Sequence, residues 1–305
     1  MRPEIKGYIA VLIATIAMSN VYIFSKAALN ELSLVKFGVY WFGFALLWNI
    51  IYLGITKKFT NLFQTKRKQI WILVLLGFME IIATTGFFAA IKIMHNPANV
   101  SFLANIGPVY VIILGYWLLK EKLSRFEIVG AILTLIGAFV ISYKPNWDFD
   151  ENFLLGLGLI MIYTFVFALG KIISKKNIKE INPSVLTVNR VVFLFIFSVS
   201  IFFIQDESFT ISRTALINTI LGSLLGPLLA AGAGYYAIQF IPASKASLLG
   251  TFKGFLVLVT AYLYFGIFPL WYQVIGGVLT VSGVVIIALS KQIRNRKLKN
   301  SKKKV

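Results

Sequence analysis

The sequence predicts an all-α integral membrane protein with ten transmembrane helices arranged as two inverted five-helix repeats. Three observations lead there. The 305 residues are 58% hydrophobic and 13% charged, about half the charge that a water-facing surface carries. The apolar residues come in long blocks separated by short polar stretches, and a bilayer core of roughly 30 Å takes about 20 such residues per helix. Finally, the second half of the chain echoes the first.

The blocks fall near 7–28, 34–56, 70–93, 98–119 and 127–143, then near 153–174, 184–204, 215–241, 244–265 and 270–290. They are continuously apolar rather than alternating, so they predict helices and not barrel strands. Arg2 and Lys6 before the first block give it the look of a signal peptide. Its apolar run is too long for that, and no small-x-small cleavage site precedes a soluble domain.

The net charge of +19 is placed in a way that argues for topology rather than nucleic acid. With the N-terminus inside and ten alternating spans, Lys57, Lys58, Lys66, Arg67 and Lys68 are cytoplasmic. So is a basic tail, 291–305, with Lys291, Arg294, Arg296, Lys297, Lys299, Lys302, Lys303 and Lys304. Fewer basic residues fall outside (Lys26, Lys36, Lys92, Lys144 and Arg213), together with Asp148, Asp150, Glu151, Asp206 and Glu207. This is the positive-inside bias. It predicts a multi-pass protein of the cell membrane with both termini cytoplasmic, and a tail that anchors topology and touches anionic lipid. Nothing accompanies the basic run that would read a nucleic acid.

The repeat is visible in aligned residues. Gly7 to Lys26 ends in Phe-Ser-Lys, and Gly156 to Lys175 ends in Ile-Ser-Lys. Ala90-Ile91 answers to Ala237-Ile238. Ser101, Gly130, Thr134 and Gly137 answer to Ser247, Gly276, Thr280 and Gly283 at one constant offset. Residues 1–145 and 151–290 are therefore expected to be two copies. Five helices per copy is odd, so the second copy enters the membrane from the opposite side, an arrangement that puts a substrate site near the midplane.

These features resemble an EamA-type transporter of the drug/metabolite transporter superfamily. The most specific stretch runs from Gly86 to Ser142. It has an apolar helix with central Pro108, the loop Leu119-Lys120-Glu121-Lys122-Leu123, and a helix with Gly130 and Gly137. Pro183 followed by Arg190 resembles the family's second-half pattern. The resemblance implies a secondary transporter of small metabolites, often amino acids or related amphipathic compounds, with export as the expected direction. The chain departs from the pattern at Gly254, where a proline is expected, at Gly266-Ile267, which replaces a Lys-Glu pair, and at Trp41, which stands where the first copy would carry an arginine.

Ionisable residues at membrane depth are costly and need a partner or a task. Glu80 and Lys253 both lie about 14 Å from the cytoplasmic face at 1.5 Å per residue. They are expected to face one central cavity and to come within interaction range in at least one state. A salt bridge between the halves and a substrate or proton site both fit. Arg190 lies about 9 Å into the seventh span, as a site residue or a pin to loop carbonyls. Lys171, a turn inside the sixth span, is a further candidate, with snorkelling to headgroups as its alternative. Asn20, Asn105, Thr251 and Gln239 are polar residues in spans, fit either to bind solute or to bridge helices. Tyr22, Tyr110, Tyr163, Tyr235 and Tyr236 are candidates for the cavity wall or for an interfacial belt. The candidate substrate set is thus Glu80, Lys253, Asn20, Asn105, Arg190, Lys171, Tyr235 and Thr251. Gly222, Gly226, Ala230 and Gly234 form a small-residue ridge with a bend at Pro227, and Pro108 predicts a kink.

Enzymes and non-transporting scaffolds or receptors are the competing classes. The single histidine, His95, precludes a paired-histidine metal site, and there is no cysteine. No Gly-x-x-x-x-Gly-Lys-Ser/Thr loop is present, so no ATP site or other cofactor is expected. The expected partners are a small-molecule solute and membrane lipids.

Overall fold

The computed structural model describes residues 2–63, 66–94, 100–101, 103–142, 151–266 and 270–302. Expectations placed on His95, Lys144, Asp148, Asp150, Ile267, Lys303 and Lys304 lie outside them. The described residues are helical and contain no strand. The principal helices are α1 (Pro3–Leu29), α2 (Leu34–Thr56), α3 (Arg67–Ile93), α4 (Ile106–Leu119), α5 (Arg125–Ser142) and α6 (Glu151–Asn177). They continue with α7 (Pro183–Ile204), α8 (Arg213–Phe240), α9 (Ala243–Tyr264) and α10 (Trp271–Lys302). Eight of these, all but α4 and α5, are long and apolar enough to cross a membrane, which makes this a multi-pass helical membrane protein. The sequence predicts ten spans. The difference lies at α4, a 14-residue apolar helix, and α5, with 18 described residues.

Helix starts follow their capping chemistry. Ser33, Asn182 and Ser212 accept hydrogen bonds from the first free amides of α2, α7 and α8, and Pro183 occupies the first position of α7, where its missing N–H is harmless. Ser124 and Glu127 cap α5 reciprocally. Helix α4 ends at Lys120 (φ 55°) and α9 near Gly266 (φ 69°), both left-handed.

The Ser-Lys echo in the sequence has a structural counterpart. Lys26 Nζ donates to the carbonyls of Ile91 (3.1 Å) and Met94 (3.0 Å), which close α3. Lys175 Nζ donates to the carbonyls of Ile238 and Ile241, which close α8. Each lysine thus satisfies orphan carbonyls at a helix C-terminus and sits where the helix dipole favours a cation.

Packing between helices is reciprocal. Helix α1 lies along α8, and α3 lies along α6; α4 lies along α6, and α9 lies along α1. Helix α2 packs on α7, and α5 packs on α10. The α5–α10 contact is backbone on backbone. A Cβ added at Gly137 would lie 2.5 Å from the Thr280 nitrogen and 2.6 Å from the Gly276 oxygen. One added at Gly130 would lie 2.8 Å from the Gly283 oxygen. Small residues are what permit this approach in a bilayer.

Glu121, in the loop after α4, reaches α9. Its carboxylate accepts from the amides of Ala243 (2.8 Å) and Ser244 (3.0 Å), so a loop of the first half caps a helix of the second. Glu127 pairs with Lys245 and accepts from Ser290 Oγ at 2.9 Å.

Three helix irregularities converge inside the bundle. In α8, residues Leu224–Ala230 form a π-helical segment around Pro227, whose missing N–H interrupts the ordinary ladder. Helix α9 is interrupted by a 3-10 turn, Gly250–Phe252. A turn at Ala104 and Asn105 precedes α4. Pro108 therefore stands in the first turn of a helix, where the absent donor costs little, rather than at the mid-helix kink that its position in the apolar block predicts.

Candidate functional site

The irregular segments border a central cavity of about 220 Å³. Its wall is drawn from α1, α3, α4, α6, α7, α8 and α9. Close to the helix breaks it includes Ala104, Gly107, Pro108, Gly226, Pro227, Gly250 and Lys253. Small residues and interrupted helices let the wall stand back, and irregular backbone at such depth is tolerated where it is buried in protein or lines a cavity.

The wall has an aromatic part and a basic part. Tyr22, Phe87, Phe88, Tyr163 and Phe167 supply rings. Tyr22 meets Phe87 edge-on with centroids 5.1 Å apart, and Phe87 meets Tyr163 at 5.3 Å. The side chains of Tyr22 and Ser101 are buried. On α6, Tyr163 and Lys171 are about 12 Å apart along the axis at 1.5 Å per residue.

The basic part comprises Arg190, Lys171 and Lys253. Arg190 is neutralised. Its Nε lies 3.0 Å from Glu80 Oε2, a contact of charge rather than an aligned hydrogen bond. Its Nη2 donates to Thr84 Oγ1 at 3.2 Å. Glu80 also accepts from Thr84 Oγ1 and from Tyr235 Oη, each at 3.2 Å. This network ties α3 to α7 and α8, with both charged side chains largely shielded from solvent. Lys171 and Lys253 have neither an ion pair nor a hydrogen bond among the described residues.

The expected Glu80–Lys253 pair is not formed in this structure, where Glu80 meets Arg190 instead. Depth alone does not fix which way a side chain points around its helix. Helix α3 lies against α6 and α7, and this turns Glu80 toward Arg190; α9 lies against α1 and α4. Lys171 is likewise found at the cavity rather than at the headgroups. Asn20 and Thr251 are not among the cavity residues. Asn20 Nδ2 donates to the Ile16 carbonyl at 2.9 Å, and Thr251 Oγ1 to the Leu248 carbonyl at 2.6 Å, each within or just beside its own helix. Asn105 is buried at the break before α4 with its Oδ1 unpartnered, again off the cavity wall. Tyr236 and Gln239 are exposed on the outside of α8.

Sequence reasoning missed Thr84, Phe87 and Phe88. The signal was present: they follow Glu80 at helical spacing, so one face of α3 carries the acid, its hydroxyl partner and the rings.

An all-helical multi-pass membrane protein with a cavity inside the bundle is the class these observations define. The family model described as the EamA-like transporter family matches residues 5–143 and again residues 154–289. The chain belongs to that family. It is 25% identical over 232 residues to an uncharacterised transporter of Synechocystis, covering 72% of this chain and 66% of that protein. It is 24% identical over 204 residues to the uncharacterised transporter YdfC of Bacillus subtilis, covering 64% of each. The matches thus span just under two thirds of the relatives' own length. A solved crystal structure superposes with a TM-score of 0.74 at 14% identity, covering 94% of this chain and 97% of the other, a likeness of fold.

Proposed function

We propose that the chain is a secondary transporter that moves a small amphipathic metabolite by alternating access, with export as its direction. The observation that carries this is the central cavity, walled by helices from both sequence halves and holding unpaired charge. The relatives' names and the family support the transport class, and the expected direction comes from the family resemblance.

In this reading α1–α5 and α6–α10 are the two five-helix repeats, residues 1–145 and 151–290, and ten helices span the membrane. Several observations support it. The family model matches once in each half. The packing partners exchange between halves, and Lys26 and Lys175 do the same work in each. Under that symmetry Trp41 corresponds to Arg190. Arg190 meets an acid, while Trp41 is fully buried against the small residues Gly222 and Gly226. The halves share a frame and fill equivalent positions with different chemistry. The Lys/Arg distribution supports both termini in the cytoplasm.

Counterflow in proteoliposomes tests the transport class. Vesicles preloaded with a mixture of unlabelled metabolites should accumulate a labelled member of that mixture transiently. Gly234 lines the cavity with nothing within 4 Å of an added Cβ, so Gly234→Trp should fold and abolish the overshoot. Undiminished counterflow in Gly234→Trp would remove the cavity from the path, and no counterflow with any metabolite pool would favour a non-transporting receptor.

A further inference from the structure

We propose that the cargo is a small organic anion, a carboxylate or phosphate monoester on an apolar body of about one aromatic ring, held between Lys171 and Lys253. This rests on the transport reading above and narrows its substrate class.

An ammonium group away from bulk water is costly unless it is paired. This cavity has two such groups, on α6 and α9, and neither has an ion-pair partner among the described residues. No neighbouring acid forms an ion pair with either. Glu80 is engaged by Arg190, Thr84 and Tyr235. Glu121 lies within electrostatic reach of Lys171, but its carboxylate is hydrogen-bonded to the amides that open α9. Lys26, Lys175 and Lys245, by contrast, are all occupied by carbonyls or a carboxylate. The fold therefore keeps Lys171 and Lys253 free at the cavity, and an anion is the ligand that balances them.

The rest of the wall sets the body of that anion. Tyr22, Phe87, Tyr163 and Phe167 offer faces and edges to an apolar group. A zwitterionic amino acid fits less well. Its ammonium needs an acidic acceptor, and the described cavity wall carries none; Glu80 lies behind Thr84 and Arg190, bound on both oxygens.

The test is ligand-dependent thermal unfolding of the full chain reconstituted in phosphatidylcholine vesicles. The probes share one ring: phenyl phosphate and phenylacetate as anions, benzyl alcohol as neutral, phenethylamine as cation. The anions should raise the melting temperature by mass action, and the other two should not. Lys171→Met and Lys253→Met should each weaken the anion affinity about tenfold or more, the loss of one charge-assisted contact. Each should also melt higher than the parent when empty, because an unpaired charge has been removed. Lys253→Arg should keep the anion response and guards against misfolding of the methionine variant.

Equal shifts from benzyl alcohol or phenethylamine, or an anion shift that survives both methionine variants, would overturn the proposal. A lysine-dependent shift caused by phosphatidylglycerol, with none from phenyl phosphate or phenylacetate, would assign the site to a lipid headgroup and overturn it as well. The two readings fail separately. Lysine-dependent anion binding without counterflow would sink transport and leave this site. Counterflow of a neutral metabolite unchanged in both methionine variants would do the reverse.

Discussion

Arg190→Met should destabilise the protein by about 3–5 kcal/mol, the cost of leaving a buried carboxylate without its counter-ion. Glu80 has its charge partner 3.0 Å away, and two hydroxyls complete its shell. Neutral hydroxyls do not replace a guanidinium in a low-dielectric interior. Glu80→Gln should cost less, because the amide oxygen can still accept from one of the two hydroxyls and the NH2 can donate to the other, while Arg190 remains beside the cavity. The double variant Glu80→Gln with Arg190→Met should be more stable than Arg190→Met alone, since the orphaned charge is gone. A double-mutant cycle read by thermal unfolding in detergent checks this. Strict additivity would show that the pair contributes no coupling. Lys253→Met added to Glu80→Gln should be additive, because those two side chains do not meet.

Gly137→Leu should be comparably damaging for a steric reason. Its added Cβ would meet the Thr280 nitrogen and the Gly276 oxygen, backbone atoms that cannot rotate away. Overpacking of this kind costs about 1–3 kcal/mol, occasionally more, and an immovable neighbour puts it at the upper end. Gly158 is the control. It is exposed with nothing within 4 Å of an added Cβ, so Gly158→Leu should stay within about 0.5 kcal/mol. Equal yields and melting temperatures for the two variants would refute the α5–α10 interface as described.

Much of the architecture was legible because a bilayer enforces it. Apolar blocks of helical length mark α1–α3 and α6–α10 directly. The aligned Ser-Lys pairs were visible as an echo, and their cause, capping of α3 and α8 by Lys26 and Lys175, is a contact across the bundle. The aligned glycines proved to be the α5–α10 contact for the same reason, since close backbone approach leaves a residue signature.

The site was legible in depth but not in direction. Glu80, Arg190, Lys171 and Lys253 stand out because charge is rare in these blocks. Which of them meet depends on helix rotation and on neighbours distant in sequence. A long apolar block has little polar face to fix that rotation. Thr251 and Asn20 illustrate a second limit. A polar side chain in a membrane helix can satisfy itself on a nearby carbonyl, so its presence does not announce a ligand. The π-helical segment around Pro227 and the turn at Gly250–Phe252 were visible as proline and glycine, and their register was not.

Under alternating access the cavity opens to each membrane face in turn, and sided labelling of its wall reads this out. The chain has no cysteine, so a single Ala231→Cys, on the cavity wall, gives a clean reporter. Lys66→Cys and Arg213→Cys serve as markers of the two membrane faces in sealed, oriented vesicles. A small impermeant thiol reagent should reach Ala231→Cys from the Lys66 face and, in separate vesicles, from the Arg213 face. A transported solute should slow both reactions. Labelling from one face alone, unchanged by solute on either side, would show a dead-end pocket and contradict the account.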